Sequence, residues 1–184
     1  MSRHVCPWSG GYFIDNRFRR LLHNPERILS PYVRPGMIVT DFGCGMGFFT
    51  IALARLVGDK GRVIAIDVQQ KMLDVLQKRA KNASVAERIR IHRCEPDSIT
   101  CDDTIDFALA FYSVHEVPDQ RRLLGEIWAC IRPNGRMLVV EPIGHVPVKE
   151  FETMVSVAEE IGFEVDERPR IRLSRAVVLR KPQV

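Results

Sequence analysis

The sequence is short of several features that would assign it a class. Its 184 residues hold five cysteines, Cys6, Cys44, Cys94, Cys101 and Cys130, and no two form a C-x-x-C pair. An odd, scattered set supplies neither a disulfide framework nor a four-cysteine metal site, so a reduced, cytoplasmic protein is expected. No window reaches the roughly 20 apolar residues that cross a bilayer, and no membrane partner is expected. The N-terminal MSRHVCPWSGGYF lacks the apolar core of a signal peptide. Charge of one sign is scarce too. With 27 basic and 23 acidic residues the excess is +4, a poor nucleic-acid footprint without a concentrated basic face. There is no internal repeat and no low-complexity tract.

What is present is enough for one globular domain. The chain is 46% hydrophobic and 27% charged, and at this length it can bury roughly 70% of the surface exposed by the unfolded chain. Residues 1–35 form a distinct opening segment with little periodicity and many Gly, Pro, Asn and Arg residues. Asp15 can cap a short helix ending near His23-Asn24-Pro25. Pro25 suits the first turn of another, ERILSPY, which stops before Pro35.

From Gly36 onward two kinds of segment alternate. MIVTDF (37–42), RVIAIDV (62–68), RIRIH (88–92), IDFALAFY (105–112) and RMLVVE (136–141) read as strands, several apolar on consecutive residues. That run suits strands covered on both faces. Residues 48–57, 70–82, 119–131 and 148–161 have helical spacing. The pattern is α/β, a doubly wound, mostly parallel sheet with helices on both faces. FEVDERP and RIRLSRAVVLR follow each other through a turn too short for a parallel crossover, so an antiparallel strand is expected at the C-terminus.

The segment between the first strand and helix, DFGCGMGFF, carries the most specific signal. A phosphate-binding P-loop needs Gly-Lys-Ser/Thr, and here Gly47 is followed by two phenylalanines. A dinucleotide fingerprint needs its third glycine at position 48; this one is at 47. The spacing G-x-G-x-G after Asp41 suits a ligand lying close to the backbone, without a pyrophosphate to cradle. Asp67, ending the second strand, has two oxygens that can accept from both hydroxyls of a ribose.

With these residues the chain resembles class I S-adenosylmethionine-dependent methyltransferases of the small-molecule type, such as ubiquinone/menaquinone-biosynthesis and arsenite methyltransferases. The likeness runs from about residue 36 to the end. It implies a Rossmann-like seven-stranded sheet with an antiparallel last strand, and S-adenosyl-L-methionine as cofactor. Asp41, Gly43, Cys44, Gly45 and Gly47 match its first motif; Asp67 and Val68 match the ribose and adenine positions. Glu95 and Asp97 match the exit of the third strand, where Pro96 departs from the pattern by lacking an N–H. Phe111 matches the fourth-strand position beside the cofactor. Cys44 fits the crowded loop by size, since methyl transfer from a sulfonium needs no enzyme nucleophile.

The resemblance also implies where the acceptor sits. FYSVHEVPD (111–119) follows the fourth strand, and Tyr112, Ser113, His115 and Glu116 offer polar groups there. His115 is the side chain suited to titrate near neutrality, with Tyr112 and Glu116 as further catalytic candidates. The loop lacks Asn/Asp-Pro-Pro-Tyr/Phe, which argues against adenine or protein-amide acceptors and for a small molecule. In similar enzymes a leading segment covers the site; residues 1–35 are the expected lid, with Trp8, Tyr12 and Phe13 around a Gly10-Gly11 hinge. Residues 36–184 are then the cofactor-binding domain. Two other readings stand beside this one. His4 and Cys6 could join His115 or His145 around a metal in a non-catalytic binding or sensing protein, though no metal site is assigned. An RNA or protein methyltransferase would need a recognition domain that is not apparent.

Overall fold

The computed structural model describes residues 22–95 and 103–183. Seven strands form one sheet: β1 (Ile38–Phe42), β2 (Arg62–Asp67), β3 (Ile89–Arg93), β4 (Ile105–Phe111), β5 (Ile131–Pro142), β6 (Glu164–Glu167) and β7 (Ser174–Arg180). Their order is β3-β2-β1-β4-β5-β7-β6. β1 through β5 pair in parallel, whereas β7 runs antiparallel to both β5 and β6. The expected α/β class, strand count and antiparallel C-terminal strand are all present.

Five α-helices lie among the described residues: α1 (Pro25–Leu29), before β1, then α2 (Thr50–Val57), α3 (Gln70–Asn82), α4 (Gln120–Cys130) and α5 (Val148–Ile161) between strands. Local chemistry sets their ends. The Asn24 side chain accepts from the Arg27 N–H and Pro25 occupies the first turn of α1. Asp119 caps α4 by accepting from the Arg122 N–H at 2.9 Å. α1 is shorter than ERILSPY suggests, because Pro31 cannot continue the helical hydrogen bonds. β5 is longer than RMLVVE: Ile131 already pairs with Ile105 before an irregular stretch, and regular pairing resumes at Arg136.

β4 shows how the sequence divides the core. Ala108 and Ala110 face the layer built from Leu123, Leu124 and Ile127 of α4 and Phe151 and Met154 of α5. Phe107, Leu109 and Phe111 face the opposite layer, with Leu29 of α1 and Leu53 of α2. Small residues on one side and large ones on the other fit the strand between two unequal layers. Each large side chain fully buried this way contributes about 1.5–3 kcal/mol. The switch in strand order between β1 and β4 opens a crevice at their C-terminal ends, where parallel sheets hold ligands.

Candidate active site

The first wall of the crevice is the glycine loop. Gly43, Gly45 and Gly47 all have positive φ, at 68°, 53° and 86°, a region L-residues seldom adopt. Two of them are also sterically required. A Cβ on Gly43 would lie 2.4 Å from the Ser113 Cβ, and one on Gly47 would lie 2.2 Å from Leu76 Cδ1. In front of Gly45 there is open space, so this glycine presents bare backbone to the crevice.

Around the loop the expected residues divide into braces and open groups. Asp41 is buried and accepts from Thr50 Oγ1 at 2.5 Å, tying β1 to the start of α2. Cys44 is buried, and its N–H donates to the Ile66 carbonyl. Burial, followed by the charges of Asp41 and Asp67, pushes its thiol well above the usual range, which argues against a thiolate at neutral pH. Asp67 is 8% exposed and accepts the Gly45 N–H at 2.9 Å through Oδ2 and the Gln69 N–H at 2.8 Å through Oδ1. Burial raises its carboxyl above the ordinary value, partly offset by those backbone N–H groups. Beyond these backbone hydrogen bonds, the two oxygens keep lone pairs for a diol. Val68 is half-buried beside it and Glu95 is exposed. Asp97 and Pro96 lie outside the described residues, as do His4, Cys6, Trp8, Gly10, Gly11, Tyr12, Phe13 and Asp15.

The exit of β4 forms the second wall. Ser113 Oγ donates to the Phe42 carbonyl at 3.0 Å, binding the ends of β1 and β4 together. On either side of Ser113 the chain turns to opposite faces. Phe111 stacks on Phe49 with ring centroids 4.2 Å apart. Tyr112 follows at φ 62°, an uncommon conformation for a bulky residue. Its hydroxyl meets Ser174 Oγ at 2.6 Å and lies 3.4 Å from His23 Nε2, whose ring is also 2.8 Å from the Arg172 carbonyl. Tyr112 therefore braces the β7 end and the segment before α1.

His115 goes the other way. It sits in a single 3-10 turn, Val114–Glu116, and its ring Nδ1 meets Glu141 Oε2 at 2.5 Å while its backbone N–H donates to Glu141 Oε1 at 3.1 Å. Glu141 is the penultimate residue of β5 and is only 2% exposed. Both line a cavity of about 1070 Å³, with Lys149, Glu150, Phe151 and Met154 of α5. The His145 ring lies edge-on to His115 at 5.0 Å. Of the three expected catalytic side chains, His115 alone lines this cavity; Glu116 contributes a backbone N–H to the Ser113 carbonyl within the turn. Among the described residues, no group of three His, Cys, Asp or Glu is placed to hold a metal.

Glu141 is the residue that sequence reading missed. The signal was available: RMLVVE ends in an acid after a doubly covered strand, as AID does at Asp67. A carboxylate there points into the same crevice edge.

Known proteins give the same picture. A family model described as "Methyltransferase domain" matches residues 39–135, more than half of the chain. A demethylmenaquinone methyltransferase from Lactobacillus johnsonii is 32% identical over 110 residues, covering 59% of this chain and 45% of that protein. The chain thus aligns with less than half the length of that relative. A solved S-adenosylmethionine-dependent methyltransferase from Aquifex aeolicus shares the fold at a TM-score of 0.85 and 24% identity, over 96% of this chain and all of that one. The cyclase SpnF shares it at 0.74 and 16%, over 88% of this chain and 82% of that one, so likeness of fold alone does not assign a reaction. The family match spans the glycine loop and the exit of β4, and the chain belongs to the family of methyltransferase domains, whose methyl donor is S-adenosylmethionine.

Proposed function

We propose that this protein methylates a small acceptor that must lose a proton, with His115 removing it. The observation that carries the reading is the contact between buried Glu141 and the His115 ring on the wall of the cavity at the exits of β4 and β5. The residues present fit the methyl donor: bare backbone at Gly45, a carboxylate at Asp67 with accepting capacity for a ribose diol, and a crevice at the strand ends. When bound, it supplies an electrophilic methyl group on a sulfonium.

The chain's own groups do the rest. Glu141 accepts the Nδ1–H of His115 and fixes the tautomer in which Nε2 carries the lone pair. Nε2 then takes the acceptor's proton, and the adjacent carboxylate stabilises the imidazolium. Such a base contributes about 10²–10⁴-fold, while alignment of acceptor and methyl in the crevice contributes on the order of 7–11 kcal/mol. Phe151, Met154 and Val146 give the cavity apolar walls against this polar pair, which suits a flat hydroxylated ring. The name of the Lactobacillus relative points to the same acceptor class.

In this reading Tyr112 is a positioning residue and residues 1–35 are a lid, anchored in their described part by His23 on the Arg172 carbonyl. Buried free thiols at Cys44, Cys94 and Cys130 suit a reducing, cytoplasmic setting. The test is methyl transfer from labelled S-adenosylmethionine to reduced 1,4-naphthoquinone, alongside calorimetry with S-adenosylhomocysteine. Cofactor binding with transfer supports the reading. Binding without transfer removes the acceptor class, and no binding removes the enzyme.

A further inference from the structure

Three large apolar residues are strongly exposed among the described residues, and all lie at one corner: Ile143 at 48%, Val148 at 57% and Leu173 at 60%. Ile143 follows β5, and its N–H donates to the Leu173 carbonyl at 3.1 Å. Val148 opens α5 five residues after Ile143. The Arg175 guanidinium pins the connection by donating to the carbonyls of Ile143 and Val146 at 3.2 and 2.7 Å. The apolar tips therefore stand on a fixed platform at the C-terminal edge of the sheet.

Leu173 is costly where it stands. It has φ 55° in a turn closed by the Ser174 N–H on the Ile171 carbonyl, a position that favours Gly or Asn. Neither backbone conformation nor burial selects leucine here, so an outward-facing role does.

The flanking charge is mainly basic. Arg170, Arg172 and Lys149 are exposed, and no salt bridge is recorded for any of them among the described residues. Most other exposed arginines are paired, including Arg168 with Glu152 and Arg121 with Glu160. Glu150 is the acid adjoining the patch in sequence. Apolar tips next in sequence to cations without a salt bridge among the described residues complement an anionic lipid surface: side chains enter the headgroup region and the cations meet phosphates.

We propose that this corner docks the protein on an anionic bilayer. The length argument that excluded a spanning segment does not bear on a surface contact, which needs only a few apolar side chains; the expectation of no membrane partner is revised to that extent. Val146 and Lys149, on either side of Val148, line the His115 cavity. On the methyl-transfer reading, and resting on it, docking brings the mouth of that cavity to acceptors dissolved in lipid.

The experiment is flotation of the full chain with phosphatidylglycerol vesicles and with phosphatidylcholine vesicles. Binding to the former, weakened by salt and at least about tenfold weaker to the latter, is expected. An L173S/I143S variant and an R170E/R172E variant should each lose roughly tenfold or more in affinity while keeping wild-type melting temperature and S-adenosylhomocysteine binding. The two variants act by independent means, so misfolding of one leaves the other as a test. No binding by the wild type, equal binding to both lipids, undiminished binding by a folded variant, or a dimer that covers Leu173 would each overturn the proposal. Failure of cofactor binding with intact flotation would instead count against the methyl-transfer reading.

Discussion

The two walls of the crevice are built by different means. The β1–β2 wall consists of backbone held in special conformations: three consecutive positive-φ glycines spaced by two, and a carboxylate accepting two backbone N–H groups. The β4–β5 wall consists of side chains that find partners from distant positions: His115 with Glu141, Tyr112 with Ser174, and Ser113 with the Phe42 carbonyl. The first kind of wall tolerates few residues at each position but needs only local sequence. The second tolerates many local sequences and depends on the sheet to bring partners together. On the proposed function, the first wall suits a cofactor of fixed shape and the second suits an acceptor that can vary.

Substitutions can break that contrast. The largest expected effect on stability is at Gly43. Gly43→Ala places a Cβ 2.4 Å from the Ser113 Cβ at φ 68°, and costs about 3 kcal/mol in urea unfolding. Gly45→Ala meets nothing within 4 Å and should cost about 1 kcal/mol, the left-handed penalty alone. Equal losses would show that the loop is not wedged against the β4 exit.

Next is Asp67→Asn, which should weaken S-adenosylhomocysteine by roughly 1.5–3 kcal/mol in calorimetry, the value of a charge-assisted hydrogen bond. Its effect on the unliganded fold carries the opposite sign at neutral pH. Burial raises the folded-state pKa of Asp67 above the ordinary 3.8, so the folded protein binds this proton more tightly than the unfolded chain. Its stabilising contribution is full below 3.8 and is lost as pH rises through the folded-state value. Wild type minus variant stability should therefore fall with pH across that window. A flat difference would place the carboxylate in water.

The mildest is Cys44→Ala. The raised thiol takes no part in transfer, so turnover stays within about threefold of wild type, with about 1 kcal/mol lost from the small cavity. A hundredfold fall in turnover would make the thiol chemical after all.

The same contrast explains what could be read beforehand. The mostly parallel sheet and the antiparallel β7 followed from the run of doubly buried strands and the short 168–173 connection. The glycine spacing singled out its loop because each glycine answers to a local steric demand. Tyr112 and His115 are three residues apart in one segment and looked alike as polar candidates. They part company because Tyr112 turns through positive φ toward Ser174, and no local pattern announces that turn in a tyrosine. Glu141 lies 26 residues from His115, and only the pairing of β4 with β5 makes them neighbours.

The most direct test of a wall for binding and a wall for proton removal is the turnover of His115→Asn at saturating S-adenosylmethionine with reduced 1,4-naphthoquinone. The account predicts that the rate falls at least about a hundredfold. A rate within about threefold of wild type would contradict it, because the proton would then leave without His115.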